Sequence, residues 1–259
     1  MTWNQDLIYR KNMGRLTEAV KHLIILNVIF FAASSFLGPN LTEWMALFFP
    51  KNPNFGFWQF VSHMFMHGGF MHILFNMYAL WAFGSPLEQM WGRNKFLFFY
   101  FSAGIGAGLI YTGVNYFQFN GIYNELMSLG MSASDIQSLL DSGRYSSGIL
   151  DQVPEKRLSE IYQIYNTPAV GASGAIYGVL VAFGMTFPNA KLALIFLPVP
   201  ISAKYFIPVL IGLDLFSGVT GFSIFGGGIA HFAHVGGALI GFIVMKFWQK
   251  NQFNNSRWN

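Results

Sequence analysis

Three stretches of an otherwise apolar chain carry side chains suited to acyl-transfer chemistry. They hold His72 and Asn76, then Ser173 and Tyr177, then His231 and His234. A polar side chain inside a membrane span is costly, so it is a functional candidate by default. The first two pairs are spaced i, i+4, which puts each pair on one helix face. A serine hydroxyl is a weak nucleophile until a base removes its proton. His234 suits that task, because neutral imidazole takes up a proton near neutral pH. Attack on a peptide carbonyl creates an oxyanion, for which the Asn76 amide, the His72 imidazole and the Ser173 backbone N–H are donors. Ser173 also falls near a helix start, whose partial positive charge favours that anion. Tyr177 is a candidate to hold His234 by ring stacking. No Asp or Glu is well placed to complete a triad. Asp214 reads as lying at greater depth in its own segment, with a structural role or a role in how that segment moves.

The elements that must bring these residues together are membrane spans. Of 259 residues, 53% are hydrophobic and 10% are charged, against about a quarter charged in soluble domains. The charges collect in the gaps between apolar stretches, as a water-free bilayer core demands. Six spans are expected, at about 21–38, 69–83, 96–117, 169–187, 205–225 and 229–248. Most approach the roughly 20 residues needed to cross the hydrocarbon. The bias of positive charge sets the orientation. With the N-terminus inside, Arg10, Lys11, Arg15, Lys21, Arg93, Lys95, Lys191, Lys204, Lys246, Lys250 and Arg257 are cytoplasmic, and only Lys51, Arg144, Lys156 and Arg157 are outside. Spans two, four and six then enter from outside with their polar groups in the first turns. The three groups share one depth in the outer leaflet, within reach of external water. Gly171, Gly174, Gly178, Gly237 and Gly241 supply small faces that let two membrane helices approach closely.

The connecting segments differ in character. Residues 39–68 are external and aromatic, with Trp44, Phe48, Phe49, Phe55, Phe57 and Trp58, and read as an interfacial segment. Residues 118–168 form a long, polar external loop, with short helices expected from Ser134-Asp135 and near Leu158 to Tyr165. Residues 191–204 contain Pro198 and Pro200 and read as a loop on the cytoplasmic face, with a strand or a broken helix as alternatives. The first twenty residues are polar, so the first apolar segment is expected to be a retained helix rather than a cleavable signal. The chain has no cysteine, which excludes thiol catalysis and disulfides. The net charge of +4 flanks apolar segments instead of forming a basic patch, which argues against nucleic acid. His63, His67 and His72 raise the question of a metal, but no glutamate follows the HEXXH pattern and Gly68-Gly69 interrupts the helix. No metal and no cofactor are expected. Glu88 is expected to pair with a charge or a helix end. His231 suits a packed, hydrogen-bonded role as well as a functional one.

GASG at Gly171 to Gly174 followed by Tyr177, the HxxGxxxG of His234, Gly237 and Gly241, and HGGFMHILFN from His67 to Asn76 together resemble the rhomboid intramembrane serine proteases. The resemblance implies an all-α membrane protein, a six-transmembrane-helix rhomboid-like bundle. It implies a Ser173–His234 dyad, with His72 and Asn76 at the oxyanion and Tyr177 beside the histidine. It also implies cleavage of single-span membrane proteins near their outer boundary. The family often has Trp-Arg in the first external loop, where this chain has Trp58-Gln59. The expected layout is a cytoplasmic segment over 1–20, a protease domain over 21–250 and a cytoplasmic tail over 251–259. A bacterial plasma membrane is the simplest location, and transmembrane substrates and the lipid bilayer are the partners. The sequence is silent on oligomeric state. The rival readings are a catalytically silent rhomboid-like binder of membrane proteins and a small transporter, for which no convincing inverted repeat is present.

Overall fold

The computed structural model describes residues 14–194, 197–222 and 230–255. Residues 1–13 and 256–259, the expected end of the fifth span at Phe225 and the expected start of the sixth at Ile229 lie outside the described residues. Among the described residues, four helices are long and apolar enough to cross a bilayer. They are α1 (Glu18–Leu37), α6 (Arg93–Ser128), α10 (Ala203–Thr220) and α11 (His231–Asn255). Short helices α2 (Pro39–Met45) and α3 (Gln59–Ser62) lie between α1 and the second apolar segment.

The second and fourth apolar segments are helical but differ from a plain span. The second is continuous from Phe70 to Trp91: α4 (Phe70–Ala79), a π-helical turn (Leu80–Gly84) and α5 (Ser85–Trp91). Pro86 explains the wide turn, since it has no N–H to return to Ala82 and its ring crowds that carbonyl. The fourth is α9 (Ser173–Thr186), only 14 residues long. It begins later than the expected Ala169, because Ala169 is tied to Leu47 in an isolated antiparallel bridge.

Helix α9 is the centre of the bundle. It buries Gly174, Ala175, Ile176, Gly178, Val179, Leu180, Ala182 and Phe183. Against α11 the two backbones touch: a Cβ placed on Gly237 would lie 1.9 Å from the Gly174 carbonyl oxygen, and one on Gly241 2.6 Å from the Gly178 Cα. Helix α6 closes the other side, with Ala103 and Ala107 facing Gly178 and Gly174. The outer faces carry exposed Leu26, Ile29, Leu109, Val209, Phe216 and Phe242, as lipid contact requires.

The 118–168 segment is more structured than a loop. Helix α6 runs on past the expected third span, and 36 residues at 1.5 Å each reach about 54 Å. Its extension packs with α7 (Ala133–Ser142) and α8 (Glu155–Asn166) around a second core of Phe119, Ile122, Leu126, Ile136, Leu158 and Ile161. Ser132 and Asp135 form a capping box at the start of α7. Arg157 pairs with Glu125 at 3.2 Å and with Glu160 at 2.8 Å on the outside. At the opposite end, residues 191–194 and 197–202 adopt the strand alternative. β1 (Lys191–Leu194) pairs antiparallel with β2 (Leu197–Ser202), with Lys191 opposite Ser202. Two strands leave both edges open, which is where the prolines of β2 are tolerated.

Glu88 meets a helix end. Its buried carboxylate accepts the Thr17 hydroxyl, the Ala19 N–H at 2.7 Å and the Val20 N–H at 2.9 Å. Thr17 makes no side-chain cap of its own, so α5 caps α1 across the bundle.

Two stability predictions follow from this packing, both read by thermal or chemical unfolding in detergent. Gly237→Ala should destabilise by about 1–3 kcal/mol through overpacking, whereas Gly113→Ala, with nothing within 4 Å of its Cβ, should be neutral or gain about 0.5–1 kcal/mol. Glu88→Ala orphans two buried backbone donors and should cost about 2–4 kcal/mol, with Glu88→Gln intermediate.

Candidate active site

Ser173 is the first residue of α9, and the chain reaches it through a turn held by the external segment. The Gly171 N–H donates to the His63 carbonyl at 2.9 Å, and Ala169 and Leu47 exchange two backbone bonds of 2.9 Å. Gly171 sits at φ +124°, and a Cβ there would come within 2.8 Å of His72 Nε2. Conformation and space both require glycine at this point. The first turn of α9 has no side-chain cap, so helix geometry leaves its leading N–H groups without intrahelical acceptors.

The structure brings Ser173 and His234 together. The Ser173 hydroxyl lies 2.9 Å from His234 Nε2. Tyr177, one turn further along α9, stacks on the His234 ring with centroids 4.2 Å apart and planes 11° from parallel.

The reading of Asp214 as too deep to complete a triad with His234 does not match the geometry. Its Oδ1 accepts His234 Nδ1–H at 3.2 Å and His231 Nδ1–H at 2.5 Å, and its Oδ2 accepts the Tyr177 hydroxyl. Asp214 is six residues before the end of α10 at Thr220, a rise of about 9 Å. The fifth segment runs opposite to the sixth, so residue 214 rises to the level of residue 234. The expected end of the segment at Phe225 made residue 214 eleven residues deep, whereas the observed end of the helix at Thr220 makes it six. His231 is likewise a partner of Asp214. The relation was visible in the spacing, since i, i+3 places His231 and His234 on one face of α11.

Asp214 is 5% exposed. A carboxylate this buried needs charge-assisted partners, and three donors supply them. Because His234 gives its Nδ1–H to Asp214, its Nε2 keeps the lone pair that faces Ser173.

His72 and Asn76 line up on the other side of the serine turn. The Gly68 N–H donates to His72 Nδ1 at 3.4 Å, which leaves the proton on Nε2, the atom that faces Gly171. Asn76 Nδ2 is buried with no hydrogen-bond partner among the described residues, and it lies 3.6 Å from the Cβ position of Gly171. Two N–H donors therefore converge on the turn before Ser173. His63 and His67, in the external segment, are pushed down to about 4, chiefly by burial, so both are neutral near pH 7. His63 Nδ1–H donates to the Gln59 carbonyl at 2.7 Å.

The Trp58-Gln59 pair positions the external segment. Trp58 Nε1–H donates to the Trp44 carbonyl at 2.7 Å. The buried Gln59 side chain accepts the Phe48 N–H at 3.2 Å and donates to the Asn54 carbonyl at 2.7 Å. A neutral amide thus staples the loop where the family often has arginine. Among the described residues, Asp214, His231 and His234 also form a group with metal-ligating atoms within 4.8 Å of one another.

A family profile described as Rhomboid domain matches residues 54–140 and 143–250. The chain is 28% identical over 233 residues to the human presenilin-associated rhomboid-like protein, mitochondrial, covering 89% of this chain and 48% of that protein. It is 26% identical over 181 residues to the mitochondrial rhomboid protein 1 of Saccharomyces cerevisiae, covering 70% and 39%. It is also 26% identical over 189 residues to the rhomboid protease GlpG of Yersinia pestis, covering 70% and 66%. The chain spans about half the length of the mitochondrial relatives from vertebrates. Mitochondrial proteins stand among these relatives, so the similarity lends no particular support to a bacterial plasma membrane. The matched profile covers most of the chain, including α4, α9, α10 and α11, which carry the polar residues of the serine site, and the chain belongs to the rhomboid family of integral membrane proteins.

Proposed function

We propose that this chain is an intramembrane serine endopeptidase acting on membrane-spanning proteins, with Ser173 as nucleophile and His234 as base. The observation that carries this reading is the 2.9 Å contact between Ser173 Oγ and His234 Nε2, with His234 oriented from behind by Asp214 and from the side by Tyr177. Ser173 Oγ attacks the scissile carbonyl carbon as its proton passes to His234 Nε2. Asp214 stabilises the imidazolium that forms. Negative charge on the carbonyl oxygen is met by His72 Nε2–H, Asn76 Nδ2–H and the Ser173 N–H. Collapse of the tetrahedral intermediate delivers the His234 proton to the departing amine and leaves an ester on Ser173. Water, deprotonated by His234, then hydrolyses that ester and regenerates the hydroxyl.

The length of α9 supports a reaction inside the membrane. Its 14 residues rise about 21 Å, short of a hydrocarbon layer of about 30 Å. With its last turn at the β-hairpin end, the serine lies below the opposite surface. A substrate helix has to enter sideways and unwind locally, because a carbonyl bonded within a helix presents no open face to the serine.

Labelling of purified protein by a fluorophosphonate probe tests the nucleophile. Wild type should label and Ser173→Ala should not; equal labelling of both would overturn the assignment. Substrate binding without turnover by wild type would favour the silent-binder reading instead. Asp214→Asn should keep the packing but present the wrong His234 tautomer, lowering kcat by about 10²–10⁴-fold with little change in KM. Tyr177→Phe keeps the stacked ring and loses one charge-assisted hydrogen bond, so roughly a tenfold loss in kcat is expected, with a larger loss in Tyr177→Ala.

A further inference from the structure

The proposed reaction gives His231 no task, yet His231 makes a 2.5 Å contact with Asp214. We propose that Asp214, His231 and His234 also form an inhibitory site for a borderline transition-metal dication such as Zn²⁺, resting on the Ser173–His234 reading above. Both histidines present Nδ1 to one carboxylate oxygen, and the three ligating atoms lie within 4.8 Å of one another. Two imidazole nitrogens and one carboxylate form a set that Zn²⁺ uses when it keeps a fourth position for water. The same set disfavours Mg²⁺ and Ca²⁺, which require mostly oxygen ligands. The remaining oxygen of Asp214 is held by the Tyr177 hydroxyl, the kind of outer partner that orients a ligating carboxylate. The side chains of His231 and His234 are 10% and 13% exposed, so the group is sheltered without being sealed.

The effect on catalysis follows from the tautomer. In the metal-free site each histidine carries its proton on Nδ1 and points it at Asp214. A metal takes that position, and the proton of each neutral ring moves to Nε2. On His234 that is the atom facing Ser173. It becomes a donor and can no longer accept the serine proton. The 2.5 Å separation of His231 and Asp214 opens to about 3.3 Å, the spacing of two ligands of a tetrahedral ion, and the protease is switched off without loss of its fold. The exchange involves no redox step and releases a proton only from a histidine that was charged beforehand.

The site is tested on two independent readouts. Ser173→Ala retains all three ligands, and its titration with Co²⁺ in detergent should give visible d–d bands that saturate at one equivalent and vanish on adding Zn²⁺. His231→Gln in the same background should weaken binding by more than the roughly 10–100-fold typical of a lost outer partner. Tyr177→Phe, which keeps every ligand, should weaken it roughly tenfold and serves where His231→Gln does not fold. In the Ser173 protein, Zn²⁺ should inhibit cleavage, EDTA should restore it, and each variant's inhibition midpoint, taken against its own metal-free rate, should rise in step with its loss of Co²⁺ affinity. Absence of Co²⁺ bands, binding unchanged in both variants, or displacement by Mg²⁺ as effective as by Zn²⁺ would overturn the proposal. Co²⁺ binding in a chain that neither labels nor cleaves would leave the metal site standing and remove the protease.

Discussion

The backbone contact between α9 and α11 sets the remaining distances in the site. Helices in lipid gain nothing from burying apolar surface against each other, so close packing has to hold them. Here Gly174 and Gly178 face Gly237 and Gly241 with no side chain between, and Ala103 and Ala107 of α6 press on the same glycines. A short serine side chain on one helix then reaches an imidazole on the other. A methyl group at the contact would push the axes apart by more than the slack in a 2.9 Å hydrogen bond. A slip of one residue would turn His234 by about 100° around its helix, since 3.6 residues make a turn. Four glycines therefore fix both separation and register.

The same apolar surroundings dictate how the acids are handled. Among the described residues, two carboxylates are buried in the bundle, Glu88 and Asp214, and each is met by three donors. Those on Glu88 are one hydroxyl and two backbone N–H groups. Such donors do not titrate, so the contact is structural and fixes where α1 starts. Those on Asp214 are one phenol and two imidazoles. Imidazole protons are mobile, so the same solution to a buried charge becomes a device for setting a tautomer. Identical electrostatics yields a cap at one end of the bundle and the proposed catalytic arrangement near the other, according to which donors are supplied.

Much of this was legible in the residues. Ser173, His234, His72 and Asn76 stood out because polar groups are rare in apolar segments, and helical spacing with alternating span direction placed them at one level. The glycine contact followed from small residues recurring along two segments. Asp214 was misplaced because its segment was expected to run to Phe225, five residues past the observed end of the helix at Thr220. The external helices were visible as short amphipathic stretches, but their shared core with the extension of α6 was not, since it joins residues from Phe49 to Tyr165. Residues 191–204 remained open between loop, strand and broken helix because proline and apolar content suit each, and only the pairing of β1 with β2 decides. The π-helical turn could have been suspected from Pro86 alone.

The external helices are also continuous with the serine in a mechanical sense. Helix α8 ends at Asn166, and seven residues later the chain reaches Ser173. Within that interval Ala169 pairs with Leu47 and Gly171 with His63. Just before it, the Tyr165 carbonyl accepts Asn52 Nδ2–H at 2.8 Å and the Tyr165 hydroxyl donates to the Lys51 carbonyl at 3.1 Å. The aromatic segment is therefore sewn to α8 and to the serine turn along its length, with Gln59 holding its own backbone together. Since the proposed oxyanion donors His72 and Asn76 face Gly171, a shift in that turn would move the serine and the proposed anion site together. The external core thus does more than cover the bundle: it holds rigid the one non-helical stretch on which both halves of the proposed chemistry depend.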